Sequence, residues 1–396
     1  MSMLTIYSFM TKFLVFLCLE TLMFAGFVGI TCFLHGASTH GILSIKFKGV
    51  VFMLFESFEL KGKTIKNRLV YPPVVIFDKD VKDGKINAEV VAHYNRIAAA
   101  GCGIMIVEAT AIEATGRLHE TQLGIWDDTF VEGLSALPKA AHAENAVALI
   151  QIMHAGIQAP PTVSSENVSS SDCKRGDKAA RAMTTEEIEH VKQQFLDAGK
   201  RAKKAGFDGV ELHACHGYLL NQFLSPQINT RDDIYGKEKS KIVIDIIKEM
   251  RHVMGEDFII AIRMPGNDPD LAGSITYAKA FEAAGVDLFH ISAGIPNGQP
   301  ADMKYEENNM YNWIVASAME IKKQVTKPVI AVNGIRNPKQ ATAILQDVDF
   351  IALARGYLCD LNWLEKAKTD QPVKECIGCK GCTRGRRGSI NDCVLN

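Results

Sequence analysis

Three side chains that can donate a hydrogen bond or a proton lie within six residues of one another in this chain. His213, His216 and Tyr218 directly follow the apolar run Asp-Gly-Val-Glu-Leu at 208–212. In parallel α/β sheets and barrels, active sites are built at the carboxyl ends of such strands. A single histidine here would more often be a structural core residue. Two histidines and a tyrosine together favour a site that stabilises charge on an oxygen and supplies a proton.

Eight apolar runs rich in β-branched residues alternate with helical segments along the chain. This alternation is typical of a parallel α/β fold, and eight strands are the number that a (β/α)8 barrel needs. Such a barrel takes about 250 residues and grows with insertions, which fits a chain of 396 residues. The predicted strands are residues 69–75, 103–108, 147–153, 208–212, 258–263, 287–292, 328–332 and 349–354.

The segment between the third and fourth predicted strands is long and polar. Residues 162–181 are rich in Ser, Asn, Asp and Lys, and we expect them to form a mobile loop over the barrel mouth. Thr184 and Glu187 then have the spacing of a capping box, which predicts the start of a helix.

The residues after the two histidines extend the pattern into that of a known family. Phe-Leu-Ser-Pro at 223–226 is followed by Asn229 and by Arg-x-Asp-x-Tyr-Gly at 231–236. With the His, His and Tyr spacing, these elements resemble the Old Yellow Enzyme family of FMN-dependent ene-reductases. The resemblance implies a TIM barrel that binds FMN and takes electrons from NADH or NADPH.

The same resemblance places a flavin site at the ends of other strands. FMN needs polar partners along its ring, a cation where the reduced ring is negative, and donors for its phosphate. The implied positions are Pro73, Val75 and Ala109 along the ring, Gln151 at the pyrimidine edge, Arg263 near N1, and Gly334 and Arg355 at the phosphate. Val75 departs from the pattern, because many members have a Cys or Thr there. His154 also matches a family position near the flavin, and a structural role for it is equally supported.

The implied chemistry is reduction of the activated C=C bond of an α,β-unsaturated carbonyl compound. His213 and His216 would bind the carbonyl oxygen, and Tyr218 would supply a proton at the α-carbon. Two other functions remain open. A non-catalytic flavin-binding or electron-transfer protein is one, and a metal-dependent barrel hydrolase with His213 and His216 as ligands is the other, although further ligands for it are lacking.

Four of the ten cysteines cluster near the C-terminus, within the segment 373–396. Cys376, Cys379, Cys382 and Cys393 have the spacing C-x-x-C-x-x-C followed by a fourth Cys, which places four thiolates within reach of one metal centre. Larger relatives resembling dienoyl-CoA reductase and trimethylamine dehydrogenase hold a [4Fe-4S] cluster here, with one more residue between the second and third Cys. We expect no FAD-binding region like theirs. A zinc site or free thiols are the alternatives.

The first 52 residues lie outside the family pattern. Residues 13–33 are almost continuously apolar and approach the ~20 that span a bilayer, so they would form either a membrane anchor or part of a misassigned extension before Met53. We expect the barrel to cover 53–372. Scattered unpaired cysteines favour the cytoplasm.

The composition narrows the partners of the chain. Hydrophobic residues make up 47% and charged residues 22%, with a formal net charge of -1. This balance disfavours a nucleic-acid surface. A small-molecule substrate is therefore expected, with a membrane as partner only if residues 13–33 are a true anchor. The sequence is compatible with a homo-oligomer and does not establish one.

Overall fold

The computed structural model describes residues 52–76, 80–295, 298–306, 310–379, 382 and 393–395. The apolar N-terminal segment predicted from the sequence therefore lies outside the described residues. Within them, no helix is both long enough and apolar enough to cross a membrane.

Eight parallel strands close into a barrel, which confirms the predicted fold. The barrel strands are β3 (Leu69–Tyr71), β4 (Ile104–Ala111), β5 (Val147–Met153), β9 (Gly209–His213), β10 (Ile259–Pro265), β11 (Leu288–Ser292), β12 (Val329–Val332) and β13 (Phe350–Ala352). Around the barrel they follow in the order β10, β11, β12, β13, β3, β4, β5 and β9. Strand β3 ends four residues before its predicted end, because Pro72 and Pro73 have no N–H to donate to a neighbouring strand. Two short antiparallel strands, β1 (Phe58–Leu60) and β2 (Lys63–Ile65), precede it.

Helices alternate with the barrel strands along the chain. They are α1 (Phe52–Phe55), α2 (Ala88–Ala99), α3 (Val131–Leu134), α4 (Ala136–Ala143), α5 (Thr185–Ala205), α6 (Leu219–Leu224), α7 (Ile234–Lys237), α8 (Lys241–Met254), α9 (Leu271–Ala284), α10 (Trp313–Lys322), α11 (Pro338–Ile344), α12 (Arg355–Cys359) and α13 (Trp363–Lys368). The predicted capping box is present at α5. The Thr184 hydroxyl accepts from the Glu187 N–H, and the Glu187 carboxylate accepts from the Thr184 N–H.

Side chains that point into the barrel change from apolar to polar along the strands. The lower part is filled by a closed apolar cluster that includes Ile104, Leu149, Ala261 and Ile330. Such layers of inward side chains make a barrel a packed core, not a pore. Above this cluster, the inward positions of β5, β9, β10 and β11 become polar and face the carboxyl-end rim.

The polar segment before α5 is not the irregular loop that we expected. It contains three short strands, β6 (Asn167–Ser169), β7 (Cys173–Arg175) and β8 (Lys178–Ala182), paired in the order β6, β8, β7. Several bonds tie this small sheet to the segment after β9: the Ser170 hydroxyl donates to the Gln222 carbonyl at 2.8 Å, and the Thr230 N–H donates to the Ser171 hydroxyl at 2.9 Å.

Strands β9 and β10 approach each other closely at Gly209. A Cβ on Gly209 would lie 2.2 Å from the backbone oxygen of Ile259 on the neighbouring strand. Gly209→Ala should therefore lower the free energy of unfolding by about 1–3 kcal/mol, the usual cost of overpacking. The control is Gly298→Ala, because a Cβ there meets nothing within 4 Å. Equal urea midpoints for the two variants would contradict this account of the packing.

Candidate active site

A tight turn after β9 brings the predicted catalytic residues together. His213 is the last residue of β9, and the chain then turns through His216 and Gly217 at φ values of 61° and 74°. Asn221 secures the turn, because its side-chain oxygen accepts from the Gly217 N–H at 2.7 Å. The other side of the turn is held by the His216 N–H, which donates to the Ala293 carbonyl at 2.9 Å.

The two histidines form a hydrogen-bonded row with a serine that the sequence analysis missed. His213 Nε2 lies 2.9 Å from His216 Nδ1, and His216 Nε2 lies 2.7 Å from the hydroxyl of Ser292 at the end of β11. The Tyr218 ring packs edge-on against His213, with ring centroids 4.8 Å apart. The structure thus gathers His213, His216 and Tyr218 into one constellation at the barrel mouth.

A buried polar layer lies just inside this row. Glu211 is fully buried on β9, and one carboxylate oxygen accepts from Gln151 Nε2 at 2.7 Å. Its other oxygen lies 2.8 Å from Nδ1 of the fully buried His290. Burial lowers the pKa of His290, although Glu211 opposes this shift. Since a carboxylate oxygen can only accept, the His290 Nδ1–H donates to Glu211. The orientation of Gln151 is thus fixed by a residue to which the sequence analysis gave no role.

Arg263 lies in the same layer, and one of its guanidinium N–H donors is buried without a partner in the described part of the chain. It pairs with His213 on β9 and with His290 on β11 in the barrel register. Its Nε is buried and has no hydrogen-bond partner among the residues that the structure describes. A buried guanidinium nitrogen without a partner is costly. A bound group with acceptor atoms would satisfy it.

The residues expected along the flavin ring also converge on the mouth. Ala109 on β4 and Tyr218 belong to one small apolar cluster, and Val75 packs against it. Pro73 follows β3 and is half-buried. Because Tyr218 also contacts His213, this cluster places an apolar surface next to the row of histidines.

Two residues expected at a phosphate follow neighbouring strands. Gly334 lies after β12 with φ 75°, and Arg355 opens α12 after β13. Strands β12 and β13 pair with each other, so the two residues share one part of the rim. Arg355 is exposed.

The four C-terminal cysteines line a single pocket. Cys376, Cys379, Cys382 and Cys393 surround it together with Arg355. Burial raises the pKa of Cys382, with a further contribution from Cys376, whereas Arg355 lowers it. In the described part of the chain, these sulfurs do not form a group of three ligand atoms within 4.8 Å of one another. The structure therefore brings the cysteines to one place without the geometry of a closed metal site.

Such a close group of ligand atoms does occur at the turn after β9. The side chains of His213, Cys215 and His216 place their ligand atoms within 4.8 Å of one another. Burial raises the pKa of the Cys215 thiol well above its usual value, so the thiolate needed for metal binding is disfavoured. In the described residues no carboxylate joins this group, which weakens the hydrolase alternative.

His154 lines a separate cavity of about 350 Å³. Its Nε2 lies 3.2 Å from a carboxylate oxygen of Glu113, and its Nδ1 accepts from the Gly156 N–H at 3.0 Å. The bond from His154 lowers the pKa of Glu113 to about 2. Through these contacts His154 joins Glu113 to the backbone at Gly156.

Comparison with known proteins decides the family. The sequence profile of the NADH:flavin oxidoreductase / NADH oxidase family matches residues 53–374. This chain belongs to that family. It is an FMN-dependent oxidoreductase that uses NAD(P)H. The unpartnered Nε of Arg263 and the polar layer around it fit FMN, whose ring edge carries acceptor atoms.

Individual relatives agree with this assignment. The oxidoreductase is 36% identical over 329 residues to an NADPH dehydrogenase of Halalkalibacterium halodurans, covering 79% of this chain and 93% of that protein. It is 35% identical over 354 residues to an NADH oxidase of Thermoanaerobacter brockii, covering 84% of this chain but only 54% of that protein. The Old Yellow Enzyme homologue of Zymomonas mobilis shares the fold, with a TM-score of 0.72 at 24% identity over 86% of this chain and 99% of that one.

Glu211 is the residue on which the buried polar layer depends. Glu211→Ala would leave the Gln151 amide and the His290 N–H as buried donors without an acceptor. Each such donor costs about 1–3 kcal/mol, so the free energy of unfolding should fall by about 3 kcal/mol. Chemical denaturation measures this, with the exposed Glu249→Ala as the matched control. Equal stability of both variants would show that the layer does not depend on this carboxylate.

Proposed function

We propose that this oxidoreductase reduces the activated C=C bond of α,β-unsaturated carbonyl compounds with electrons from NADH or NADPH. The observation that supports this best is the row of His213, His216 and Ser292 beside Tyr218 at the barrel mouth. Two imidazoles and a phenol in contact can bind one carbonyl oxygen and deliver one proton. The reaction needs both functions.

Residues around the mouth would hold FMN between them. Gln151 and Arg263 offer the polar partners, while Pro73, Val75 and Ala109 give the apolar side. Gly334 and Arg355 lie where the phosphate would bind. When bound, FMN supplies the hydride. Glu211 keeps the Gln151 amide in one orientation, because it accepts one of the Nε2 protons.

His213 and His216 would act as donors to the substrate carbonyl oxygen. Negative charge grows on this oxygen during reduction, so donors that are already in place stabilise the transition state more than the substrate. To donate, the histidines exchange the bond between them for bonds to the substrate. Tyr218 is 2% exposed and lies against His213, where it would transfer its phenolic proton to the α-carbon.

Half-reaction kinetics test these roles. His213→Ala and His216→Ala should each slow flavin reoxidation by an enone about 100-fold, which is the usual effect of losing one such donor. Reduction by NAD(P)H should change far less, because no substrate oxygen then gains charge. Stopped-flow absorbance measures both steps, and the exposed His252→Ala is the control. Equal slowing of both steps, or none, would contradict the assignment.

We also propose that Cys376, Cys379, Cys382 and Cys393 hold a [4Fe-4S] cluster. Their position around one pocket supports this, as does the Gly378 N–H, which lies 3.5 Å from the Cys376 sulfur. N–H groups directed at sulfur stabilise cluster thiolates. The sulfurs would have to move closer together when the cluster assembles.

Metal analysis of anaerobically purified protein tests this proposal. About four irons per chain are expected from four-cysteine ligation, and Cys379→Ala should remove them while FMN stays bound. The buried Cys102→Ala, far from this pocket in sequence, is the control for loss of a thiol. Zinc in place of iron would indicate a structural zinc site. Either that result or protein without metal would overturn the proposal of an iron–sulfur cluster.

A further inference from the structure

A hairpin of the small sheet extends to the turn that holds the catalytic histidines. Strands β7 and β8 pair antiparallel, with Arg175 opposite Lys178 and Gly176 at φ 60° in the connection. The hairpin is fixed at its tip, because Lys178 Nζ donates to the Gln158 carbonyl. It is also fixed at its base, where the Ala182 N–H donates to Asp172 at 2.8 Å.

Arg175 at the tip of this hairpin lies directly against Gly217. A Cβ on Gly217 would be 2.1 Å from Arg175 Nη1. The guanidinium therefore occupies the space that a side chain at position 217 would fill. Since Gly217 stands between His216 and Tyr218, this positive charge lies at the edge of the catalytic constellation.

No anion neutralises this charge in the described residues. Arg175 forms no hydrogen bond or ion pair there, although Asp172 and Asp177 lie on the same hairpin. Across the hairpin, Arg175 stands opposite another cation, Lys178. Burial lowers the pKa of Lys178, and Arg175 lowers it further. Two cations held together without a counter-charge repel each other, and an anion bound between them would remove that cost.

We infer that Arg175, supported by Lys178, binds an anionic oxygen group of the molecule that enters the mouth, so that the enzyme prefers unsaturated carbonyl compounds bearing a carboxylate or phosphate. A guanidinium group can donate two parallel hydrogen bonds to two oxygens of either a carboxylate or a phosphate. The inference rests on the proposed function for its substrate. The same oxyanion chemistry could come from the phosphates of the dinucleotide, and kinetics separate the two sources.

The test compares Arg175→Gln with Lys174→Gln in the FMN-loaded enzyme. Lys174 is the neighbouring residue on β7, so its side chain points to the opposite face of the hairpin. Its substitution removes the same charge from the same strand. The probes for flavin reoxidation are 4-oxopent-2-enoate and its methyl ester, which differ by one negative charge. The probes for flavin reduction are NADPH and NADH, which differ by one phosphate.

Arg175→Gln should lower the second-order rate constant for the carboxylate about 10-fold, a typical loss for one charge-assisted hydrogen-bonded contact. Its rate with the ester should stay within about twofold, and Lys174→Gln should resemble wild type. The carboxylate rate of the wild-type enzyme should also fall with added salt. If flavin reduction by NADPH, or by both nucleotides, slows while the carboxylate rate is unchanged, the anion is a phosphate of the dinucleotide and the inference about the substrate is wrong. If Arg175→Gln behaves as Lys174→Gln with all four probes, the inference is wrong.

Calorimetric titration with the carboxylate and the ester separates this inference from the proposed function. Tighter binding of the carboxylate that is lost in Arg175→Gln, without any flavin reoxidation, would refute the proposed reaction and keep the anion site. Normal reduction of the ester with no dependence on Arg175 in either assay would refute the anion site alone.

Discussion

The mouth of the barrel depends on a layer of buried polar side chains that hold one another in place by hydrogen bonds. Closing eight parallel strands directs the inward side chains of β5, β9, β10 and β11 toward one another. At this depth the Glu211 carboxylate meets both Gln151 and His290. Because these side chains are almost completely buried, bulk solvent cannot replace a lost partner, and each side chain restricts the others. The turn that carries His213 and His216 begins two residues after Glu211, at the end of the same strand.

The barrel could be predicted because its strands are buried on both sides. Such strands are continuous apolar runs, and all eight were found. The ends of the strands were predicted less accurately. Strand β3, for example, ends before Pro72 and Pro73, because these residues have no N–H groups for hydrogen bonds to a neighbouring strand. The small sheet at 167–182 was missed because its short strands are polar, and their stability comes from bonds to the segment after β9.

The candidate site was predictable to the extent that its residues are neighbours in sequence or match a family pattern. His213, His216 and Tyr218 belong to one short string. Ser292 is 76 residues from its partner His216, and His290 is 79 residues from Glu211. Only the closure of the barrel brings them together. A serine or histidine at the end of an apolar strand is too common for either partner to be inferred from sequence.

The row His213, His216 and Ser292 has a directional property. In each of its two bonds one atom gives the hydrogen and the other receives it. If His213 donates to His216 Nδ1, a neutral His216 must carry its proton on Nε2 and donate to Ser292. If His216 donates from Nδ1 instead, its Nε2 can only accept from the serine hydroxyl. The tautomers are therefore linked, and a ligand that accepts a hydrogen bond from Nδ1 of a neutral His216 obliges its Nε2 to accept one from Ser292 on β11.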